Sequence, residues 1–212
     1  MNRPRVLINC AMSVDGKIAK PSGKQMKISS EEDLKRMYKL RNESDAVLVG
    51  IGTVLSDDPK LTVKEKYVKN PKQPIRIVLD TYCRTPTDAK IVNEKAKTII
   101  VVGYDCKKKF GENVEVINCK KTKENLIGLE YLLDVLFKRG IKKLMVEGGS
   151  TVISNFLQEG LVEDFYIYVG PMIIGGKNTP TLVNKDFKNI KLRLVETKNI
   201  GPGILLHYRL IK

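Results

Sequence analysis

The 212-residue sequence has no tryptophan, one histidine and four cysteines, and its aromatic content is 6%. Each scarcity excludes something. With His207 alone and no Cys-x-x-Cys pair among Cys10, Cys83, Cys106 and Cys119, the ligand spacing of a zinc site is missing. The H-x-E and P-C-x-x-C pattern of zinc deaminases is missing as well. Few aromatics leave few platforms on which nucleic-acid bases could stack. No apolar run approaches the roughly 18–20 residues of a membrane helix. The longest, Ala46–Val49 and Ile99–Val102, are strand-sized. The N-terminal stretch shows no apolar segment followed by a cleavage site, so a cytoplasmic protein with four reduced thiols is expected.

What is present is a chain 42% hydrophobic and 29% charged, which excludes disorder and predicts a single domain over residues 1–212. The formal net charge is +14. Lysines supply most of it and are scattered, with short clusters at Lys107–Lys109 and Lys120–Lys123. That balance suits an enzyme handling phosphorylated small molecules better than a nucleic-acid binder.

The patterning predicts a mostly parallel α/β sheet with an antiparallel end. Arg5–Met12 reads as a first strand, followed by a turn over Ser13–Lys17 and a short strand near Ile18. Ser29-Ser30-Glu31-Glu32-Asp33 is a helix start, with a hydroxyl cap and acidic residues that complement the helix dipole. Ala46–Val49, Lys143–Val146 and Thr98–Val102 read as buried strands. Ile75–Leu79 and Phe165–Val169 are further strands. Asn125–Lys138 reads as one long helix ended by Gly140, and Ser150–Gln158 as another. The tail, Leu192–Thr197 and Ile204–Ile211 around Gly201-Pro202-Gly203, predicts an antiparallel hairpin with a loop longer than the tightest turns.

In open α/β sheets, ligands bind beyond the carboxyl ends of the strands. Two such ends stand out. At Gly50-Ile51-Gly52-Thr53 the glycines permit close backbone approach, although Leu55 occupies the third-glycine place of the dinucleotide fingerprint. At Glu147-Gly148-Gly149-Ser150-Thr151 a Gly-Gly turn opens directly onto a helix N-terminus, whose free N–H groups and positive dipole end accept an anion. Glu147 at that strand end is costly unless used or paired. Gly175-Gly176-Lys177 resembles a P-loop superficially, but Gly176 stands where the lysine belongs. His207 lies within the last strand and reads as a packed residue.

Taken in order, Ala11-Met12-Ser13-Val14-Asp15-Gly16-Lys17-Ile18-Ala19, then Arg41 with Asp45–Val54, Asp57-Asp58-Pro59-x-Leu61-Thr62 and Val146–Thr151 are specific as a set. With them the chain resembles the riboflavin-pathway pyrimidine reductases. It is similar to the reductase half of bacterial bifunctional deaminase–reductases, and more so to the stand-alone archaeal and fungal enzymes. The resemblance implies a dihydrofolate-reductase-like fold, a homodimer, and NADPH (or NADH) as hydride donor. It implies reduction of 2,5-diamino-6-ribosylamino-4(3H)-pyrimidinone 5′-phosphate to its ribitylamino form. Thr53 and Asp57 would contact the cofactor, with Gly50 beside them, and Gly148, Gly149, Ser150 and Thr151 would cradle its pyrophosphate. Arg41 and Leu61 would line the substrate pocket, and Arg41 and Lys64 are the candidates for its phosphate. Glu147 and Asn9 are the polar groups placed to aid proton transfer. Many bacterial relatives carry lysine at the Asn9 position and arginine at the Lys64 position, and lysine lacks the bidentate fork. The rivals are a pterin reductase of the dihydrofolate-reductase type and a non-catalytic basic nucleic-acid-binding protein. Neither a metal nor a membrane partner is expected.

Overall fold

The computed structural model describes residues 2–186 and 189–211. Nine strands of the described residues form one sheet: β1 (Arg5–Ser13), β2 (Ala46–Gly50), β3 (Ile75–Leu79), β4 (Thr98–Val102), β5 (Val114–Asn118), β6 (Lys143–Gly148), β7 (Asp164–Gly170), β8 (Leu192–Ile200) and β9 (Gly203–Leu210). Their order is β5-β4-β3-β2-β6-β1-β7-β9-β8. β1 to β7 run parallel, and β9 and β8 close the sheet antiparallel. β2 and β4 are buried at all five positions, which is why they carry uninterrupted apolar runs.

Helices cover both faces. On one face lie α3 (Leu129–Lys138) and α4 (Ser150–Gln158), with Leu132, Leu133, Leu136 and Phe156 packed on Val6, Ile8, Leu48 and Val146. Each of those four helical side chains is fully buried, a contribution of about 1.5–3 kcal/mol apiece. On the other face α1 (Glu31–Asn42) and α2 (Ile51–Asp57) set Met37, Leu40, Ile51 and Val54 against Leu7, Val47, Val78 and Met145. Ser30 caps α1, its Oγ accepting from the Asp33 N–H at 3.2 Å.

β6 enters the sheet between β2 and β1 although β2 to β5 precede it in sequence, so the chain turns outward in both directions from this point. The carboxyl ends of β2, β6 and β1 therefore open the crevice that such a reversal creates.

Several local expectations differ from what is observed. The helix over Asn125–Lys138 begins at Leu129, because Asn125 adopts φ 59° in a turn held by the Thr122 hydroxyl. β5 carries a residue pattern too exposed to read as a buried strand. The strand near Ile18 is reduced to one bridge, Lys17 to Thr181. The tail hairpin is tighter than expected, with Ile200 pairing Gly203 across Gly201-Pro202 and a register shift between Leu194 and Glu196. The expectation of four reduced thiols is corrected as well. Cys83 and Cys106, at the ends of β3 and β4, are disulfide-bonded with Cα atoms 5.5 Å apart, leaving Cys10 and Cys119 free.

His207 is a packed residue, with Nε2 2.9 Å from Asp164 Oδ1 and its ring stacked on Tyr166 at 4.2 Å. Asp164 also accepts from Arg5 at 2.9 Å and Arg209 at 3.0 Å. Burial by itself would raise the Asp164 carboxyl, but hydrogen bonds from these three partners outweigh it and hold it below the ordinary range.

Candidate active site

The crevice at the reversal point is a cavity of about 920 Å³. Its floor is made by strand ends, and so by residues that local sequence can announce. β6 ends in Glu147-Gly148, and Gly149 is the N-cap of α4. Gly148 has φ 122°, a conformation open to glycine, and the Gly148–Gly149 peptide bond is cis. α4 has no side-chain cap, so the N–H groups of its first turn face outward without intrahelical partners. Thr53, on α2, stands across from them, and its Oγ1 would be 3.4 Å from a Cβ added at Gly149.

Gly50, Thr53, Asp57, Gly148, Gly149, Ser150 and Thr151 all line this cavity, as do Arg41, Leu61 and Glu147. Two of the hydroxyls are already engaged. Ser150 Oγ donates to the Thr181 carbonyl at 2.5 Å, and Thr151 Oγ1 accepts from the Asn184 amide at 2.9 Å. These bonds tie the long β7–β8 connection to α4. Asp57 Oδ1 accepts from the Gln25 N–H at 3.1 Å, which holds the 20–28 loop against the cavity mouth.

Asn9 and Lys64 do not line the cavity. Asn9 lies on β1 upstream of the lining residues Cys10 and Ala11, beneath α1, where its Oδ1 accepts from Arg36 Nη2 at 2.7 Å. Lys64 is exposed, with Nζ 5.6 Å from the centre of the Tyr38 ring. Arg41 reaches the cavity but is occupied. Its Nε and Nη2 each donate to Glu147 at 2.6 Å, and Nη1 donates to the Thr62 carbonyl at 3.1 Å. Burial would pull the guanidinium down, yet the Glu147 carboxylate outweighs it and holds Arg41 above its ordinary value. Burial pushes the Cys10 thiol up to about 12, so no thiolate is available there at neutral pH.

Further lining residues escaped the motif reading. Gln25, Met26 and Lys27 belong to an irregular loop with no periodicity to mark it. Thr81 and Arg84 follow β3, and Leu126 and Ile127 precede α3. Leu126 was absorbed into an over-long helix, whereas Arg84 was legible as a cation following a strand end and suited to a 2′-phosphate. Among the described residues no group of three or more His, Cys, Asp and Glu is placed to hold a metal ion. No helix among them is long and apolar enough to cross a membrane.

A likeness to solved structures defines the class first. The reductase domain within a bifunctional deaminase–reductase crystal structure from Thermotoga maritima superposes with a TM-score of 0.84 at 27% identity, over 99% of this chain and 57% of that one. The Saccharomyces riboflavin biosynthesis reductase Rib7 superposes at 0.83, with 24% identity, over 100% and 91%. The chain thus spans a little over half of the bifunctional protein, and its fold is of the dihydrofolate-reductase-like class. The family model for the RibD C-terminal domain matches residues 4–206. A 2,5-diamino-6-ribosylamino-4(3H)-pyrimidinone 5′-phosphate reductase from Archaeoglobus fulgidus is 42% identical over 98% of both chains, and one from Methanothermobacter thermautotrophicus is 37% identical over 97% and 98%. The chain belongs to the RibD C-terminal domain family.

Proposed function

We propose that the chain is a single reductase domain of riboflavin biosynthesis. It reduces 2,5-diamino-6-ribosylamino-4(3H)-pyrimidinone 5′-phosphate to the ribitylamino compound with NADPH. The observation that carries this reading is one cavity lined in direct succession by a carboxylate held in an ion pair, a Gly-Gly strand end and the uncapped N-terminus of α4. Near-full-length relatives named for this substrate support it, and none favours a pterin reductase or a nucleic-acid binder.

The residues fit a nicotinamide dinucleotide. The outward N–H groups of Ser150–Val152 suit a pyrophosphate, and the absence of side chains at Gly148 and Gly149 lets it approach. Arg84, beyond β3, lines the cavity with its side chain 54% exposed and only a 4.0 Å approach to Asp80, so it can reach a 2′-phosphate, which supports NADPH over NADH. When bound, the nicotinamide supplies a hydride.

The chain's own residues prepare the acceptor. Opening the ribosylamine breaks the C1′–O4′ bond and leaves the electron pair on O4′, which takes a proton from water. The exocyclic nitrogen forms a C1′=N bond and becomes positive. Glu147, paired with Arg41 at the cavity wall, stabilises that charge until hydride reaches C1′ and the electron pair returns to nitrogen. Thr53 and the 20–28 loop border the cavity and help to orient the reactants.

A C2 homodimer located in the cytoplasm completes the reading. β8 is an edge strand exposed over seven consecutive residues, and Leu194, Val195 and Ile204 stand 44–51% exposed on the hairpin. An edge of that kind calls for cover, and a second copy supplies it. The test is loss of reduced-nicotinamide absorbance when the pyrimidine ribosylamine phosphate is added. No loss with either NADPH or NADH would overturn the reading.

A further inference from the structure

β3 and β4 are tied by backbone hydrogen bonds only as far as their carboxyl ends. The ladder runs from Arg76–Thr98 to Leu79–Val101, and the last backbone bonds go from the Asp80 N–H to the Val101 carbonyl at 2.9 Å and from the Gly103 N–H to the Thr81 carbonyl at 3.0 Å. Beyond them segments 82–85 and 104–110 are irregular, and side chains hold them together. The Tyr82 ring stacks on Tyr104 at 5.3 Å, Cys83 is bonded to Cys106, and Lys108 Nζ donates to the Thr85 carbonyl at 2.8 Å. The first of these segments carries Arg84 to the cavity wall. Arg84 has little of its own to place it. Its Nε is 4.0 Å from Asp80 Oδ1, too far for a hydrogen bond, and Asp80 Oδ2 accepts instead from the Thr85 N–H at 2.6 Å and the Thr85 hydroxyl at 2.7 Å. Cys83, the residue before it, has φ 53°, a left-handed conformation that a residue with a side chain keeps only where its surroundings hold it. The bond to Cys106 supplies that hold.

We propose that Cys83 and Cys106 form a redox-sensitive clamp that positions Arg84 for the 2′-phosphate of NADPH. With the clamp closed the protein distinguishes NADPH from NADH, and with it open the distinction weakens. The inference rests on the cavity being the cofactor site. Both cysteines are positioning residues, since Arg84 makes the contact. Closure is an exchange with a low-molecular-weight disulfide. The thiolate of one cysteine attacks a sulfur of that disulfide, and one external thiolate leaves. The second cysteine then attacks the protein sulfur of the mixed disulfide and displaces the other. The protein pair loses two electrons, the external disulfide gains them, and the two protons of the cysteine thiols end on the two thiols released. Excess small thiol runs the exchange backward. Cys106 is half-buried and Cys83 buried, so an incoming thiol reaches Cys106 first. Disulfides in a reducing compartment are as a rule transient, which is what a clamp of this kind needs.

The experiment equilibrates the whole chain with oxidised or with reduced glutathione, counts free thiols by mass after alkylation, and titrates each form with NADPH and with NADH by calorimetry. Two free thiols are expected in the oxidised form and all four in the reduced one. On reduction the Kd for NADPH is expected to rise about tenfold, the scale of one charge-assisted contact, while the Kd for NADH stays within about twofold. A general loosening of the fold would not split the two cofactors in this way. Cys106→Ser is expected to match the reduced parent under both conditions, and Arg84→Ala to bind NADPH weakly whatever the state of the pair. The comparison of the two forms of the parent needs no variant and stands if Cys106→Ser fails to fold. Equal NADPH affinity in the two forms would overturn the proposal. So would a loss shared equally by NADH, a redox response that persists in Cys106→Ser, or a pair that neither glutathione can convert in the folded protein. Failure of the parent to bind either nucleotide in either form would instead overturn the functional reading, and this inference with it.

Discussion

Replacing Gly149 with aspartate tests the anion cradle at its centre. Gly149 has φ −71° and ψ −168°, ordinary extended backbone that a larger residue can adopt. An added Cβ meets nothing closer than Thr53 Oγ1 at 3.4 Å, ordinary contact. Aspartate is also a slightly better helix cap than glycine, by a few tenths of a kcal/mol. The fold should therefore hold, and the thermal midpoint should stay level or rise. Binding should not. A carboxylate at about 5 Å from a pyrophosphate charge is repelled by about 3 kcal/mol at an effective dielectric of about 20. Solvent at the cavity mouth lowers this to about 2–3 kcal/mol. At tenfold per 1.4 kcal/mol, the Kd for NADPH should rise about 30- to 150-fold. Gly149→Asn, equal in size and uncharged, is the comparison that isolates the charge. Calorimetric titration of both variants, beside their melting curves, reads the difference. If aspartate and asparagine bind NADPH alike, the negative groups of the cofactor do not sit at this helix end, and the reasoning fails.

Asp164→Asn should cost about 1–3 kcal/mol at neutral pH, discounted because Arg5 and Arg209 are about half exposed. A depressed carboxyl contributes stability above the ordinary carboxylate value near 4 and loses it as pH falls through the lower folded value. Urea melts should thus show a parent-to-variant gap that is constant from about pH 7 to about pH 5 and closes below about pH 4; a gap independent of pH would contradict this. Arg76 is fully buried in β3 and donates to the Asn93 side chain and to the carbonyls of Lys90, Asn93 and Ala96. Arg76→Met leaves those acceptors unpaired, so a loss of about 2–4 kcal/mol and a melting point lower by about 5–15 °C are expected by calorimetry. For the hairpin edge, Leu194→Lys should shift the mass seen by light scattering from dimer toward monomer, and an unchanged dimer would locate the interface elsewhere.

Elements whose cause is local were legible in the residues. β2 and β4 announce themselves because a strand buried on both faces must be apolar throughout. The start of α1 follows from a hydroxyl and three carboxylates within one turn. The Gly-Gly entry to α4 is equally local, since a strand end, a side-chain-free turn and a helix start fall within a few residues. β5 was lost because an exposed edge strand imposes little apolar pattern, and the start of α3 was misread because a turn at Asn125 leaves no mark on leucine spacing.

Partnership across the chain had no such trace. That Glu147 needed a partner followed from its place at a buried strand end, and that the partner is Arg41 did not, because 106 residues and two packed faces separate the pair in sequence. The same holds for Cys83 with Cys106 and for Asp164 with Arg5, His207 and Arg209, where strand order rather than spacing brings the groups together. The sequence by itself determined most of the strands and helices and the Gly-Gly entry to α4, since these depend on hydrogen bonding and burial within a few residues. Only the tertiary structure decided which charges are free to meet a ligand and which are already paired, because that depends on the insertion of β6 between β2 and β1.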